Sequence, residues 1–264
     1  MNRISMVCAV LLAAAFGAQG AVTCTTADYK GTFAFLTIGG FLHLPPQAAP
    51  LQGTFAQAGT FTSDGAGNMV ITSTASYNGN VLPANDPATY TMSSDCTMQI
   101  DLTLPLPLAV DATFYSVLSA ANRENIVTVI NPPGTVVAGR HAKLDLKFCS
   151  VSDFTGSYAI DLSGTVTPAA KGVAPGQFQR VGRLEADGNG KFTAKGIGNY
   201  DGNSIREEFA GTYNVNSACA LSISYNYKGV DYSIVGNLGG HGDIAMVMVA
   251  TNGWSVSGTL RAQQ

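Results

Sequence analysis

Three histidines and two acidic turns are the groups in this sequence whose chemistry suits a metal ion. His43, His141 and His241 are far apart and show no HxH or HExxH spacing. A zinc site needs three or four converging ligands, so we interpret them as surface or loop residues. The turns "DGAGN" at 64–68 and "DGNGK" at 187–191 resemble calcium loops, but each offers a single carboxylate. An Asx-type hairpin turn explains both, and we predict no metal and no cofactor.

Glu207 is the candidate for acid–base chemistry. If the fourth strand of its repeat unit extends back far enough, Glu207 shares a face with Tyr213 and points inward. A desolvated glutamate in that position can act as a general acid or base. The alternative is that "REE" at 206–208 is a solvated strand end. The sequence contains no GxSxG nucleophile elbow.

Four tyrosines are candidates for ligand binding, because each shares a strand face with small residues: Tyr77, Tyr90, Tyr200 and Tyr213. Inward tyrosines beside small residues can leave a cavity whose hydroxyls orient a small apolar ligand. Gly196, Gly198 and Gly211 predict more room in the second unit than in the first. The alternative is that the small residues allow sharp barrel curvature and the tyrosines fill the core.

Residues 1–20 read as a secretory signal peptide. A basic residue precedes an apolar run, and small residues follow at Ala18 and Gly20. The run is shorter than the ~20 residues that span a bilayer, so we predict no stable membrane insertion. We expect an exported protein, periplasmic or extracellular.

The composition excludes further classes of protein. Only 12% of residues are charged, 46% are hydrophobic, and the formal net charge is −3. No cluster of Lys and Arg stands out, which argues against nucleic acid as a partner. The apolar content is sufficient for a buried core. Protein partners are not indicated by any pattern.

The chain contains two copies of one unit. Four residues of the first copy recur after 123 positions, with no gap between them: Asp64, Tyr77, Tyr90 and Cys96 match Asp187, Tyr200, Tyr213 and Cys219. Upstream the offset becomes 125, where "DYKGTF" matches "DFTGSY". We predict a first domain at 21–147 and a second at 148–264.

The cysteines that remain after signal removal follow the same repeat: Cys24, Cys96, Cys149 and Cys219. An even number in an exported protein predicts disulfides. Cys24 precedes Cys96 by 72 residues and Cys149 precedes Cys219 by 70. The simplest pairing is therefore one bridge in each copy.

Within each unit the hydrophobic period is two, which is typical of antiparallel strands with one buried face. Runs between turn signals predict eight strands per copy, with the fourth at 87–93 and 209–216. Short connections favour a meander, and closure removes the two exposed edges. We predict an all-β fold of two tandem eight-stranded antiparallel up-and-down barrels. An interior of this size is filled by side chains or holds one small ligand.

The "DG-x-G" hairpin and the later "GTY…C" segment of an eight-stranded meander resemble uncharacterised bacterial exported proteins. These are similar at fold level to calycin and allene oxide cyclase-like barrels. The resemblance covers essentially the whole chain after the signal peptide, twice over. It implies a barrel fold, and no catalytic motif of those enzymes matches residue by residue.

Three functions fit these observations. The first is an exported barrel that binds a small apolar ligand or serves an envelope or surface role. The second is a cofactor-free isomerase or cyclase that works inside one barrel, with Glu207 and Tyr213 as acid–base residues. The third is a structural or adhesive module with filled barrels.

Overall fold

The computed structural model describes residues 23–105, 108–119 and 125–263. The predicted signal peptide, residues 1–20, lies outside them. The described chain forms two closed barrels, each of eight antiparallel strands in which successive strands pair and the last pairs with the first. The predicted all-β class and the two tandem up-and-down barrels are confirmed.

The strands of the first barrel are β1 Gly31–Phe41, β2 Gly53–Ser63, β3 Asn68–Tyr77, β4 Asn80–Met92, β5 Thr97–Leu104, β6 Val110–Val117, β7 Asn125–Asn131 and β8 Thr135–Lys143. Those of the second are β9 Thr155–Val166, β10 Gly176–Asp187, β11 Lys191–Tyr200, β12 Asn203–Val215, β13 Ala220–Tyr227, β14 Val230–Gly239, β15 Ile244–Val249 and β16 Trp254–Ala262. Short 3₁₀ helices lie at Thr26–Tyr29, Pro46–Leu51 and Val151–Asp153.

The fourth strand of each barrel begins earlier than predicted, at Asn80 and Asn203. The first half of β4 pairs with β3 alone, because the ladder to β5 covers only Ala88–Met92. A strand paired on one side tolerates proline and polar residues, which explains why "NVLPANDP" and "NSIREE" did not read as strand.

A glycine at the seam where each barrel closes allows the strands to approach closely. A Cβ at Gly139 of β8 would lie 2.1 Å from the Leu36 carbonyl oxygen, and one at Gly258 of β16 would lie 1.9 Å from that of Asp161. Both contacts are too short for any side chain. The equivalent glycines are therefore required for closure, in line with the curvature interpretation of the small residues.

One end of each barrel is closed by the segment that enters it. Tyr29 ends one 3₁₀ helix and Phe154 directly follows another; both are fully buried, each stacked at 4.3 Å on an aromatic ring of the first strand of its barrel. Disulfides Cys24–Cys96 and Cys149–Cys219 join these segments to the wall, which confirms the predicted pairing. Two disulfides indicate an oxidising environment.

The two barrels pack against each other through their outer faces. The apolar contact joins residues of β1, β2 and β8 to residues of β15: Ala34, Leu36, Ala58 and Ala142 with Ile244, Met246 and Met248. Ser76 and Ser255 hydroxyls meet at 3.1 Å beside it, and the Gly253 amide donates to the Gly79 carbonyl at 2.8 Å. β15 is consequently buried on both faces, which explains why its sequence, "IAMVMV", does not alternate.

Candidate functional site

The centre of the second barrel is occupied by a buried ion pair. Arg180 of β10 is 2% exposed and Glu207 of β12 is 3% exposed. The Arg180 Nε donates to Glu207 Oε2 at 2.7 Å and Nη2 donates to Oε1 at 3.1 Å, a bidentate arrangement. β12 does extend back to Glu207 and turns it inward, as the acid–base hypothesis required.

Aromatic residues complete this cluster. Tyr225 accepts a hydrogen bond from Arg180 Nη1 at 2.9 Å, and the Tyr200 hydroxyl donates to Glu207 Oε1 at 2.5 Å. The rings of Phe178 and Phe209 lie 5.3 and 5.1 Å from the guanidinium carbon. Arg180 and Glu207 therefore satisfy each other, and together with these rings they occupy the centre of the barrel.

The prediction that the second unit has more room is wrong. A Cβ at Gly198 would lie 2.6 Å from Glu207 Oε2 and 2.8 Å from the Tyr200 ring, so these side chains occupy the space that the glycine leaves. The glycine accommodates the ion pair rather than a ligand. The role of Glu207 as an acid–base catalyst stays a prediction.

The first barrel lacks this ion pair at the same positions. Gln57 lies opposite Ala75 just as Arg180 lies opposite Gly198, so a neutral amide stands in place of the guanidinium. At the 123-residue offset, Ala84 corresponds to Glu207. The interior of the first barrel contains instead a cavity of about 70 Å³.

The cavity walls are mainly aromatic and aliphatic. They are formed by Phe35, Phe41, Phe55, Phe61, Met69, Ile71, Tyr77, Ile100, Leu102, Leu104, Phe114, Val127 and Val137. Four polar side chains also face it: Thr37, Gln57, Asp86 and His141. A few polar groups in an apolar cavity are the usual arrangement of a small-molecule site.

Asp86 is the carboxylate of this cavity. It is 4% exposed and receives no hydrogen bond from any described residue. Burial raises the pKa of Asp86 above its ordinary value. Burial and then the proximity of Asp86 also raise the pKa of Tyr77. In the second barrel Phe209 occupies the position equivalent to Asp86. Asp86 lies opposite Ile71 on the third strand of its barrel, and Phe209 lies opposite the equivalent residue, Ala194.

Gln57 is held by its neighbours. Its Oε1 accepts a hydrogen bond from the Thr37 hydroxyl at 3.3 Å, and its Nε2 donates to the Ser73 hydroxyl at 2.7 Å. The amide is therefore oriented along the wall and is satisfied without any contribution from Asp86.

His141 corrects the prediction that the histidines are surface or loop residues. It is 1% exposed, and its Nε2 lies 2.6 Å from the Tyr29 hydroxyl in a hydrogen bond. Burial lowers the pKa of His141 to about 3, so the imidazole is neutral at physiological pH. Its counterpart in the second barrel, by the alignment of Gly139 with Gly258, is Leu260.

The four predicted tyrosines lie in three different environments. Tyr77 lines the cavity of the first barrel. Tyr90 and Tyr213 lie at the closed ends, where their hydroxyls donate to the carbonyls of Thr26 at 3.2 Å and Phe154 at 2.7 Å. Tyr200 belongs to the ion-pair cluster described above. Of the four, Tyr77 is the one placed to contact a ligand in this cavity.

Sequence reasoning missed Asp86, Gln57 and Arg180. The signal that reveals them is a difference between the copies: at the 123-residue offset, Asp86 aligns with Phe209 and Gln57 with Arg180. Of the residues that match between the copies, the acidic turns, the cysteines, Tyr90 and Tyr213 are structural, whereas Tyr77 lines the cavity and Tyr200 belongs to the ion-pair cluster.

The acidic turns are structural as well. Asp64 Oδ1 accepts from the backbone amides of Ala66 and Asn68, and Asp187 Oδ1 from those of Asn189 and Lys191. These are Asx-type turns, as predicted. Among the described residues no group of three or more His, Cys, Asp or Glu side chains is placed to hold a metal ion.

A groove on the outside of the first barrel approaches the cavity. Met69 and Leu102 line both the groove and the cavity. They lie beside the end of the β4–β5 ladder at Ala88–Leu102.

The chain matches no family model and no curated protein of known function. Within the residues that the structure describes, no helix has the length and apolarity needed to cross a membrane.

Proposed function

We propose that the protein is an exported small-molecule-binding protein whose ligand lies inside the first barrel. The observation that carries this proposal is the contrast between two copies of one unit. The second copy fills its centre with Arg180 and Glu207, whereas the first leaves a cavity at the corresponding place. The resemblance to calycin and allene oxide cyclase-like barrels supports the proposal.

The size of the cavity limits the ligand. A buried water needs about 10–15 Å³ of such volume, so about 70 Å³ holds a handful of waters or a ligand of a few heavy atoms. Sites for drug-sized molecules begin at ~300 Å³. Lipids and large chromophores are therefore excluded unless the walls move. For a ligand of about five heavy atoms, the best Kd is roughly micromolar.

The second barrel has a different role in this proposal. Its centre is occupied by Arg180 and Glu207, and its outer face packs on the first barrel through Met246 and Met248. It supports the wall of the binding barrel from outside, next to β1 and β2. The exported localisation rests on the predicted signal peptide and on the two disulfides.

Leu102→Tyr tests the proposal, because tyrosine is the residue that the second barrel has at this position, as Tyr225. The added ring should fill the cavity and leave the fold intact. Ligand-observed NMR with four probes, toluene, phenol, methylurea and methylguanidine, should show saturable binding of at least one to the wild type. Binding should disappear in Leu102→Tyr.

The matched control is Gln99→Tyr, which adds the same side chain to the outward, exposed face of β5. It should bind the probe as the wild type does. If no probe binds the wild type, or if binding survives unchanged in Leu102→Tyr, the first barrel is not a binding site for small molecules.

A further inference from the structure

We propose that the ligand is a small organic cation, of the guanidine, amidine or amine class, and that Asp86 is its counter-ion. This inference rests on the proposed function and assigns the chemical class of the ligand. The second barrel serves as a template, because there the cation is part of the protein, the guanidinium of Arg180.

The template is the environment of Arg180. Its guanidinium lies at the centre of the second barrel, bonded to the Glu207 carboxylate and flanked by the rings of Phe178 and Phe209. A carboxylate and the faces of nearby aromatic rings together stabilise a cation that has been removed from water. The unit is thus able to hold a guanidinium in its interior when the cation arrives on a side chain from β10.

The first barrel retains the surroundings of the cation without the cation. Phe55 stands where the second barrel has Phe178, since they lie opposite Tyr77 and Tyr200. A carboxylate is again present, but it comes from Asp86, two residues further along the same face of the fourth strand than Ala84. Gln57 replaces the arginine and is neutral.

The position of Asp86 is close to where the guanidinium would lie. In the second barrel that position is Phe209, whose ring centre is 5.1 Å from the Arg180 guanidinium carbon. A free guanidinium or ammonium at the equivalent point in the first barrel would therefore be within reach of the Asp86 carboxylate. The phenylalanine rings of the cavity wall would surround it.

Among the described residues of the first barrel, none donates a hydrogen bond to Asp86 or pairs with its charge. The residues that line the cavity include no lysine and no arginine, and the imidazole of His141 is kept neutral by burial. An ionised carboxylate in an apolar site is costly unless it is paired and hydrogen-bonded. A bound cation with N–H donors removes that cost, whereas an anion would increase it.

Methylguanidine and methylurea test the inference, because they are nearly isosteric and differ in charge. Binding to the full-length protein is measured by NMR titration. Methylguanidine should bind the wild type at least about tenfold more tightly than methylurea, the size expected for a hydrogen bond to a charged group. Asp86→Asn should reduce the difference to within about twofold. Asp111→Asn, an acidic residue on the outside of the same barrel, should leave it unchanged.

Gln57→Arg provides an independent test. It places in the first barrel the arginine that the second barrel has, so its guanidinium should pair with Asp86 and occupy the cavity. Methylguanidine binding should be lost and the thermal unfolding temperature should not fall. If Asp86→Asn does not fold, Asp86→Phe supplies the residue of the second barrel and should abolish the preference for methylguanidine.

The outcomes separate this inference from the proposed function. Equal binding of methylguanidine and methylurea to the wild type overturns the cationic ligand while leaving a small-molecule site in place. Binding of toluene or phenol alone does the same. Absence of binding by all four probes overturns both proposals. A preference for methylguanidine that persists in Asp86→Asn and in Asp86→Phe shows that Asp86 is not the counter-ion.

Discussion

A guanidinium and a carboxylate lie at the centre of the second barrel with almost no access to solvent. Removing both ions from water costs several kcal/mol each, and their attraction recovers this only when every donor and acceptor is satisfied. Here Arg180 and Glu207 bond each other twice, and two tyrosines take further bonds. The pair therefore favours a single arrangement of the interior side chains. Each charge depends on the other, because loss of one leaves its partner buried and unpaired.

Glu207→Gln should lower the free energy of unfolding by about 3–5 kcal/mol, because it leaves the buried Arg180 charge without a counter-ion. Urea unfolding followed by circular dichroism measures this. Glu208→Gln, the exposed neighbour on the same strand, should change stability by less than about 0.5 kcal/mol. A loss below about 1 kcal/mol in Glu207→Gln would mean that the pair is not fully desolvated in solution.

His141 should make stability depend on pH. Its pKa is about 3 in the folded protein and about 6.5 when unfolded, so between these values the unfolded chain binds more protons. Its contribution is complete above pH 6.5 and decreases by about 1.4 kcal/mol for each pH unit below it. His141→Leu, the residue of the second barrel, should remove this slope in urea unfolding from pH 7 to 4. His241→Gln, which is exposed, should retain it; equal slopes in all three proteins would contradict the burial of His141.

Among the elements, the strands were predictable because their main constraint is local. Alternating side chains on β5 and β13 place Ile100 and Ile223 inside and leave their neighbours Gln99 and Ser222 in solvent. The early start of β4 was not predictable, because only pairing with β3 holds that segment. The two-faced burial of β15 likewise depends on the other barrel.

The candidate site was only partly predictable, for a related reason. Matching residues between the copies identified the repeat, and apart from Tyr77 and Tyr200 they proved to be turns, bridges and end caps. The groups that distinguish the interiors, such as Asp86 and Arg180, are found only where the copies differ. The role of each group depends on its partner from another strand. Arg180 pairs with Glu207, whereas Gln57 has Ala84 at the position equivalent to Glu207.

Met246 of β15 tests the contact between the barrels at the level of one strand. Met246→Asp should destabilise the protein by at least about 3 kcal/mol, because it places a charge in a dry apolar contact. Ile126→Asp is the matched control: it lies at the equivalent place on β7, where the side chain is 67% exposed, and should be nearly neutral. Thermal or urea unfolding of both variants measures this. Equal effects would show that the barrels do not dock through β15.

At the scale of the whole molecule, the two barrels should unfold together. Trp254 is the one tryptophan of the chain and lies inside the second barrel, 5.0 Å from Phe178, so its fluorescence reports on that barrel. Circular dichroism reports on both. The transitions should coincide in the wild type, because separation exposes the apolar contact. They should diverge in Met246→Asp, and divergence already in the wild type would show independent barrels.

The burial of β15 on both faces also has a kinetic consequence. Its backbone amides bond to β14 and β16, its inner side chains pack in one barrel, and its outer ones pack on the other. We therefore expect that local opening of one barrel alone does not bring these amides into contact with water. In deuterium oxide, peptides from Ile244–Val249 should thus exchange last, at the rate of global unfolding, while those from its counterpart β7 exchange earlier through local openings. The most slowly exchanging part of the molecule then lies in the second barrel, at the surface where it packs on the first.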